Sequence, residues 1–243
     1  MLYKFSKPLI EAVIIKRLSQ FTMLVDLNGE QITAHCPTTG RIGDIETKNI
    51  ACLLSKSDDI KRKMPYTVEA ISCDELDRSE KRWVGINQIL SNRLIEFFFT
   101  NHELDEIEND YDEIRREVKL GISKLDFKIG NTYLEVKTPL TQIQVEYGKN
   151  IKTKPVTPFS STERFTKHIN ELANSLKNHE RAFLVSVYQY IITAPKERQH
   201  STNYEVVSKA VENAYNSGVG FYDIQMNFTP IGVELYKTTK TQF

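Results

Sequence analysis

No stretch of this chain approaches the ~18–20 consecutive apolar residues that a membrane helix needs, so nothing in it reads as a bilayer span. The opening Met1-Leu2-Tyr3-Lys4-Phe5 lacks the apolar core of a secretory signal. Cysteine is scarce: three residues, Cys36, Cys52 and Cys73, unevenly spaced and without a CxxC pair. That pattern excludes a disulfide framework and a cysteine zinc site, and it predicts reduced thiols in a cytoplasmic protein. The five histidines show no metal-ligand spacing. An excess of either charge is also missing, since 32 Lys and Arg balance 32 Asp and Glu. The chain is therefore no basic nucleic-acid coat, although a local basic groove stays open. Internal repeats and low-complexity segments are absent. What is present, 40% hydrophobic and 26% charged residues over 243 positions, is ordinary for a soluble protein of one large or two small domains.

The first part of the chain reads as β. Strand patterns fall at residues 9–18, 21–27, 31–36, 50–55, 66–72 and 83–86, with Asn28-Gly29 as a tight turn. Five or six short strands in this length predict a small OB-like β-barrel over residues 1–85. Lys61-Arg62-Lys63 is its densest positive cluster, either a solvated loop or a contact to phosphates. Trp83 and Tyr66 read as core aromatics with base stacking as the alternative, and His35 and Cys36 as turn residues before ligands.

From residue 86 onward the period changes. Leu90, Leu94, Ile95, Phe98 and Phe99 form one stripe of a helix over 89–102. The acidic run 103–110 reads as a solvated helix end or loop, and would repel nucleic acid if it lay near a groove. A strand at 115–120, a hairpin at 125–137, a helix at 162–177 capped by Ser161 or Thr162, an apolar strand at 181–191, a helix at 204–217 and a last strand at 219–228 follow. This order predicts a mixed sheet flanked by helices over 86–243, and a mixed α/β, or α+β, chain as a whole.

The hairpin carries the chemistry. Leu125, Phe127 and Ile129 alternate, as do Leu134 and Val136, around Gly130-Asn131. These two residues tolerate the positive φ of a two-residue loop. If Ile129 pairs with Thr132, Asp126 stands opposite Glu135, with both pointing away from the apolar face and Lys137 beside them. Opposed strand positions have Cβ atoms about 4.5–5.5 Å apart, and like charges there repel. Two readings remain at this point: a polar solvent face, or two acids awaiting a hard divalent cation.

An α-β-β-β-α-β order with Asp on the second strand and Glu-x-Lys on the third resembles the restriction-endonuclease-like, or PD-(D/E)xK, core, here with Leu125 in place of the usual proline. Nearly end to end, the chain resembles the bacterial and archaeal sugar fermentation stimulation protein A family. The resemblance rests on His35-Cys36-Pro37-Thr38-Thr39-Gly40, Lys61-Arg62-Lys63-Met64-Pro65-Tyr66-Thr67, Asn92-Arg93-Leu94, Asp126-Phe127, Glu135-Val136-Lys137 and Thr162-Glu163-Arg164-Phe165-Thr166-Lys167-His168. Thr38 stands where that family usually has Asn. Phe159-Ser160-Ser161 and Arg164-Phe165 stand where it tends to have Pro-Asp-Ala and Arg-Gly, so an acidic group of that segment is not carried over.

The resemblance implies an OB-like domain joined to a nuclease-like domain, DNA as the partner, and Mg²⁺ or Mn²⁺ held by Asp126, Glu135 and the carbonyl of Val136. It gives Lys137 the task of orienting the attacking water. It allows a homodimer. Glu117 is either a further ligand or a surface acid beside Arg115 and Arg116. Arg164, Lys167 and His168 share a helix face and are either a phosphate clamp or a solvated face. Tyr188-Gln189 either approaches the site or belongs to the core. The expected function is a DNA-binding protein with a metal-dependent nuclease site. Its rivals are a non-enzymatic DNA-binding regulator and an OB-type module for saccharide or protein partners.

Overall fold

The structure, a computed structural model, describes residues 1–38, 40–155, 158, 162–178, 181–197 and 200–242. Strands β2 (Ile10–Ser19), β3 (Thr22–Leu27), β4 (Glu30–His35), β5 (Ile50–Lys56), β6 (Tyr66–Ser72) and β7 (Trp83–Gly85) form one sheet in the order β4-β3-β2-β5-β6-β7. A short parallel pairing of Ala34 with Tyr66 and His35 with Thr67 returns β4 to β6. This closes five strands into an OB-like barrel. At the β3–β4 turn Asn28 and Gly29 have φ of 54° and 88°, as a primed two-residue turn requires. The Asp26 side chain accepts the Gly29 N–H at 2.8 Å. The inward positions of these strands, among them Ile14, Met23, Val25, Leu54 and Ile71, fill the barrel and are almost fully buried.

The second layer is a seven-stranded sheet of order β1-β13-β12-β11-β10-β9-β8. Its elements are β1 (Leu2–Lys4), α1 (Gln88–Thr100), β8 (Ile114–Leu120), β9 (Ser123–Ile129), β10 (Thr132–Lys137), α2 (Glu163–Ser175), β11 (Arg181–Tyr188), α3 (Tyr204–Asn216), β12 (Gly220–Phe228) and β13 (Gly232–Lys240). β10, β11 and β12 run parallel at the centre, and the outer pairings are antiparallel. Helix α1 covers one face with the expected stripe, Leu90, Leu94, Ile95, Phe98 and Phe99 all being buried. Each such side chain contributes about 1.5–3 kcal/mol. Helices α2 and α3 cover the other face through Ile169, Leu172, Ala210 and Ala214.

Three expectations need correction. β1 precedes the barrel in sequence yet pairs with β13 in the other sheet. Gly232 permits this, because a Cβ there would lie 2.4 Å from the Tyr3 carbonyl oxygen. β12 is not the last strand: β13 follows it, an outer strand with mostly exposed residues and so only a weak apolar signal. The acidic run is not wholly solvated. Glu108 is buried and accepts the Thr132 hydroxyl, the N–H groups of Asn109 and Asp110 at 3.0 and 3.1 Å, and Arg181 at 3.4 Å.

The two layers share their cores. Leu140, Ile143, Val145, Tyr188 and Tyr190 pack with the barrel interior, whereas Leu9, Leu53 and Trp83 pack with the sheet. All three cysteines are free and buried. Burial pushes the thiols of Cys52 and Cys73 up to about 12, so neither is a reactive thiolate at neutral pH.

A candidate metal site at a splayed hairpin

Gly130 sits at φ 53°, and a Cβ on it would lie 2.6 Å from the Asp110 carbonyl oxygen. The close approach leaves glycine as the residue that fits. The turn sets the pairs Ile129↔Thr132, Lys128↔Tyr133 and Phe127↔Leu134, the register expected of a two-residue loop. Pairing then stops. The Val136 N–H, which a continuing ladder would give to Leu125, donates instead to Oδ2 of Asp126 at 2.8 Å. By strand alternation the Val136 carbonyl faces the same gap.

The hairpin also changes face at this point. Phe127 and Ile129 pack under α1, whereas Leu125 packs under α2 and α3. The three residues therefore do not share one apolar face as alternation alone predicts. Across the strand, Glu117 holds φ at 53°, level with Asp126 between the pairs Arg116↔Phe127 and Val118↔Leu125. Its side chain is exposed and bound to Lys124 at 2.6 Å, and that ammonium lowers its pKa. Glu117 thus lies in a surface ion pair.

The two carboxylates do not stand on a solvated face. Glu135 is 2% exposed. Its Oε1 meets His168 Nδ1 at 2.6 Å and the Lys137 ammonium, while its Oε2 is buried with no hydrogen-bond partner among the described residues. Asp126 receives Asn92 Nδ2 at 2.9 Å on Oδ1. Burial, and after it the neighbouring Glu135 charge, push the Asp126 pKa up against the pull of Val136 N–H, Asn92 and Lys137. The structure thus brings Asp126, Glu135, Val136, Lys137 and His168 together. Among the described residues no three His, Cys, Asp or Glu side chains converge as metal ligands. A cation here would have two carboxylates and would take backbone and water oxygens for the rest of its shell. Mg²⁺-like ions accept such a set, and Asp126 and Glu135 are hard oxygen donors, so the residues fit.

Arg164 and Lys167 are exposed on α2, on the helix face that also carries the buried His168. Lys61, Arg62 and Lys63 are exposed in the β5–β6 loop, where Arg62 donates to Thr67 Oγ1 at 2.8 Å. No hydrogen bond or ion pair among the described residues joins that loop to the acidic pair. Thr162 precedes α2 without capping it, and its hydroxyl accepts Asn203 Nδ2 at 2.6 Å instead. The alternative cap Ser161, and the departing segment Phe159-Ser160-Ser161, lie outside the described residues. Trp83 is core, and the Lys56 ammonium lies 5.5 Å from the Tyr66 ring centre. The Cys36 thiol donates to the Thr38 carbonyl at 3.4 Å, and the buried Thr38 hydroxyl donates to the Ile86 carbonyl.

Sequence reasoning gave no role to Asn92 and did not find the polar chain behind it. Gln189, fully buried, donates to the Asn87 carbonyl at 2.8 Å and to Ser91 Oγ at 2.9 Å. Ser91 meets Thr138 at 2.9 Å, next to Lys137. Asn87 caps α1 and donates to Glu69 of the barrel at 2.7 Å. Asn92 stood in the segment Asn92-Arg93-Leu94 that carries part of the family resemblance, and for the others the signal was single polar residues inside apolar periods; neither signal names a partner.

Comparison with known proteins follows the same division. Residues 15–86 match the family description "SfsA N-terminal OB domain", and residues 89–232 match "Sugar fermentation stimulation protein RE domain". A sugar fermentation stimulation protein homolog of Acaryochloris marina is 31% identical over 242 residues, covering 96% of this chain and 92% of its own. One from Nostoc punctiforme is 35% identical over 182 residues, or 70% of each chain. Among solved structures, SfsA of Pyrococcus furiosus in complex with Ca²⁺ superposes with a TM-score of 0.77 at 17% identity, covering 100% of this chain and 99% of that one.

Proposed function

The chain belongs to the sugar fermentation stimulation protein family, and on that footing we propose that it binds DNA and hydrolyses its phosphodiester bonds with a divalent cation, Mg²⁺ or Mn²⁺, at Asp126 and Glu135. One observation carries the reading: Glu135 Oε2 is buried with no partner among the described residues, beside a second acid whose ionisation its own charge opposes. A buried unsatisfied oxygen costs about 1–3 kcal/mol, and a hard cation would relieve both the unmet bond and the repulsion. Asp126, Glu135 and the Val136 carbonyl would hold it. The Pyrococcus furiosus protein of the same fold is described in complex with Ca²⁺, which agrees with a divalent cation as the partner proposed here.

When bound, the cation supplies an acidified water and neutralises phosphoryl charge. The chain's own residues do the rest. His168 fixes the orientation of Glu135 through Oε1, as outer-shell partners do for ligating groups. Lys137, about 30% exposed, reaches solvent beside Glu135. Its ammonium can donate to the attacking oxygen or to the phosphate as negative charge develops. Arg164 and Lys167 on α2, and Lys61, Arg62 and Lys63 on the barrel, supply sequence-independent phosphate contacts. The buried thiols suit a reducing cytoplasm.

A non-enzymatic DNA-binding regulator is the second reading. It is favoured by the pairing of Glu135 with Lys137 and His168, which already offsets one of the two charges. Mn²⁺ calorimetry on the wild type and on Glu135→Ala, with DNA cleavage measured on the same samples, separates the two. Binding and metal-dependent cleavage in the wild type, with both lost in the variant, is the expected result. Absence of Mn²⁺ binding in the wild type would remove the hydrolytic reading and leave the regulator.

A further inference from the structure

Beside the acidic pair lies a cleft of about 460 Å³, and its lining includes the α2 cations that the hydrolytic reading gives to the phosphate backbone without assigning them a defined place on the strand. Its volume is within the range of small-ligand sites, about 300–1,000 Å³. One wall is the β8–β9 turn, with Ile122, Ser123 and Lys124. The other is the first turns of α2, with Glu163, Arg164, Lys167 and His168. We infer that this cleft is a subsite for a phosphate group of the bound nucleic-acid strand, next to the phosphate that would be cut. The inference rests on the reading of nucleic acid as the substrate.

Four observations converge. Arg164 and Lys167 are exposed on the same wall, and neither has an ion-pair partner among the described residues, so both charges are available. The cleft opens at the N-terminal end of a 13-residue helix, where the macrodipole favours an anion. Ser123, 5% exposed, belongs to the lining, and its buried hydroxyl has no hydrogen-bond partner among the described residues, so it has a donor to spare for a phosphate oxygen. His168 borders the cleft and bonds Glu135, so occupants of the two places would be neighbours on one strand. The remaining charges do not cancel these: Lys124 is engaged by Glu117 at 2.6 Å, and Glu163 is the single acid in the lining. Gly121, which opens the turn, holds φ at 55°, and the Ile122 N–H next to it donates to Glu171 Oε1 at 3.5 Å, an acid outside the cleft's lining.

The phosphate can be a terminal monoester or an internal diester, and the same binding experiment tells them apart. Short fluorescent oligonucleotides, with and without a 5′-phosphate, are titrated in EDTA at several salt concentrations. The proteins are the wild type, Ser123→Ala and the double variant Arg164→Gln, Lys167→Gln. The exposed pair can be replaced without disturbing the core. The double variant is expected to bind at least tenfold more weakly, with its slope of log affinity against log salt shallower by about 0.7, the effect of one lost single-strand phosphate contact. Ser123→Ala is expected to lose about three- to tenfold, one hydrogen bond's worth. A larger loss on the 5′-phosphorylated strand supports a terminal phosphate, and an equal loss on both strands supports an internal one. An unchanged affinity and salt slope in the double variant overturns the subsite. Because EDTA removes the cation, a failed subsite and a failed hydrolytic site give different results: the first shows here, the second only in calorimetry and cleavage.

Discussion

His168 Nδ1 lies 2.6 Å from Oε1 of Glu135, and this contact leaves Oε2, which has no partner among the described residues, as the side of the carboxylate for another ligand. An imidazole N–H on one oxygen sets the rotation of the whole group. His168→Ala is therefore expected to weaken Mn²⁺ binding by about 10–100-fold, the usual cost of removing such a partner, while the protein still unfolds cooperatively. Calorimetry with thermal unfolding on the same preparation checks it. An unchanged Mn²⁺ affinity would mean that Lys137 alone orients Glu135.

The acidic pair depends on the register of its hairpin, and that register depends on Gly130. Gly130→Ala meets both an unfavourable φ of 53° and the Asp110 carbonyl oxygen at 2.6 Å, a backbone atom with little room to retreat. Gly29 at φ 88° has nothing within 4 Å of the corresponding position. Gly29→Ala should thus cost only the backbone penalty of a left-handed alanine, about 1–2 kcal/mol, and Gly130→Ala distinctly more. Urea denaturation of the two variants gives the comparison, and equal costs would show that the loop carrying Asp110 yields freely.

Most of the barrel was legible because its strands obey a period of two and end at turn residues. Asn28-Gly29 marks one turn, and the six sequence-derived strands lie within a residue or so of the observed ones. Helix α1 was legible from a single stripe, Leu90 to Phe99. β1 and β13 were not legible. A three-residue strand and an outer strand with mostly exposed residues carry little apolar pattern, and pairing makes each a strand: β1 on β13, and β13 on β12. Asp126, Glu135 and Lys137 were found by counting from Gly130. The face change at Asp126 was not, because it depends on the splaying of two strands after Phe127↔Leu134 rather than on any residue's own preference. His168 was expected in a phosphate clamp or on a solvated face, whereas the structure buries it against Glu135; that bond spans 33 residues of sequence, and no local pattern encodes it.

The barrel reaches the site through Glu69 and Asn87. Asn87 Oδ1 accepts the N–H groups of Ile89 and Leu90 at 3.1 and 3.4 Å while Nδ2 donates to Glu69 Oε2 at 2.7 Å. Asn92, which holds Asp126, lies on the second turn of the same helix. Asn87→Ala is expected to destabilise by about 1–2 kcal/mol as a lost cap. In a double-mutant cycle with Glu69→Ala the two should couple by about 0.5–3 kcal/mol, as hydrogen-bonded partners do. Additive losses in urea denaturation would show that the barrel contact does not support the helix start.

Asp74 gives the fold its clearest acid sensitivity. Its buried carboxylate accepts the Arg82 N–H at 2.7 Å, Arg82 Nε at 3.0 Å and Arg78 Nη1 at 2.9 Å. Burial alone would push its pKa up, but the Arg82 contacts and the nearby charges outweigh this and hold it below the ordinary 3.8. A depressed folded pKa means that the unfolded chain takes up the proton first as pH falls. The stabilisation is thus fully present above about pH 4–5 and is lost as pH drops through the folded value. Asp74→Asn keeps the shape and removes the charge. It should lower stability at pH 7 by about 1.5–3 kcal/mol, the range for hydrogen bonds to charged groups. The gap to the wild type should stay constant down to about pH 5 and narrow below pH 4. Thermal unfolding of both proteins across that range tests the sign, and a gap that widened on acidification would mean that the Asp74 pKa is raised in the folded state.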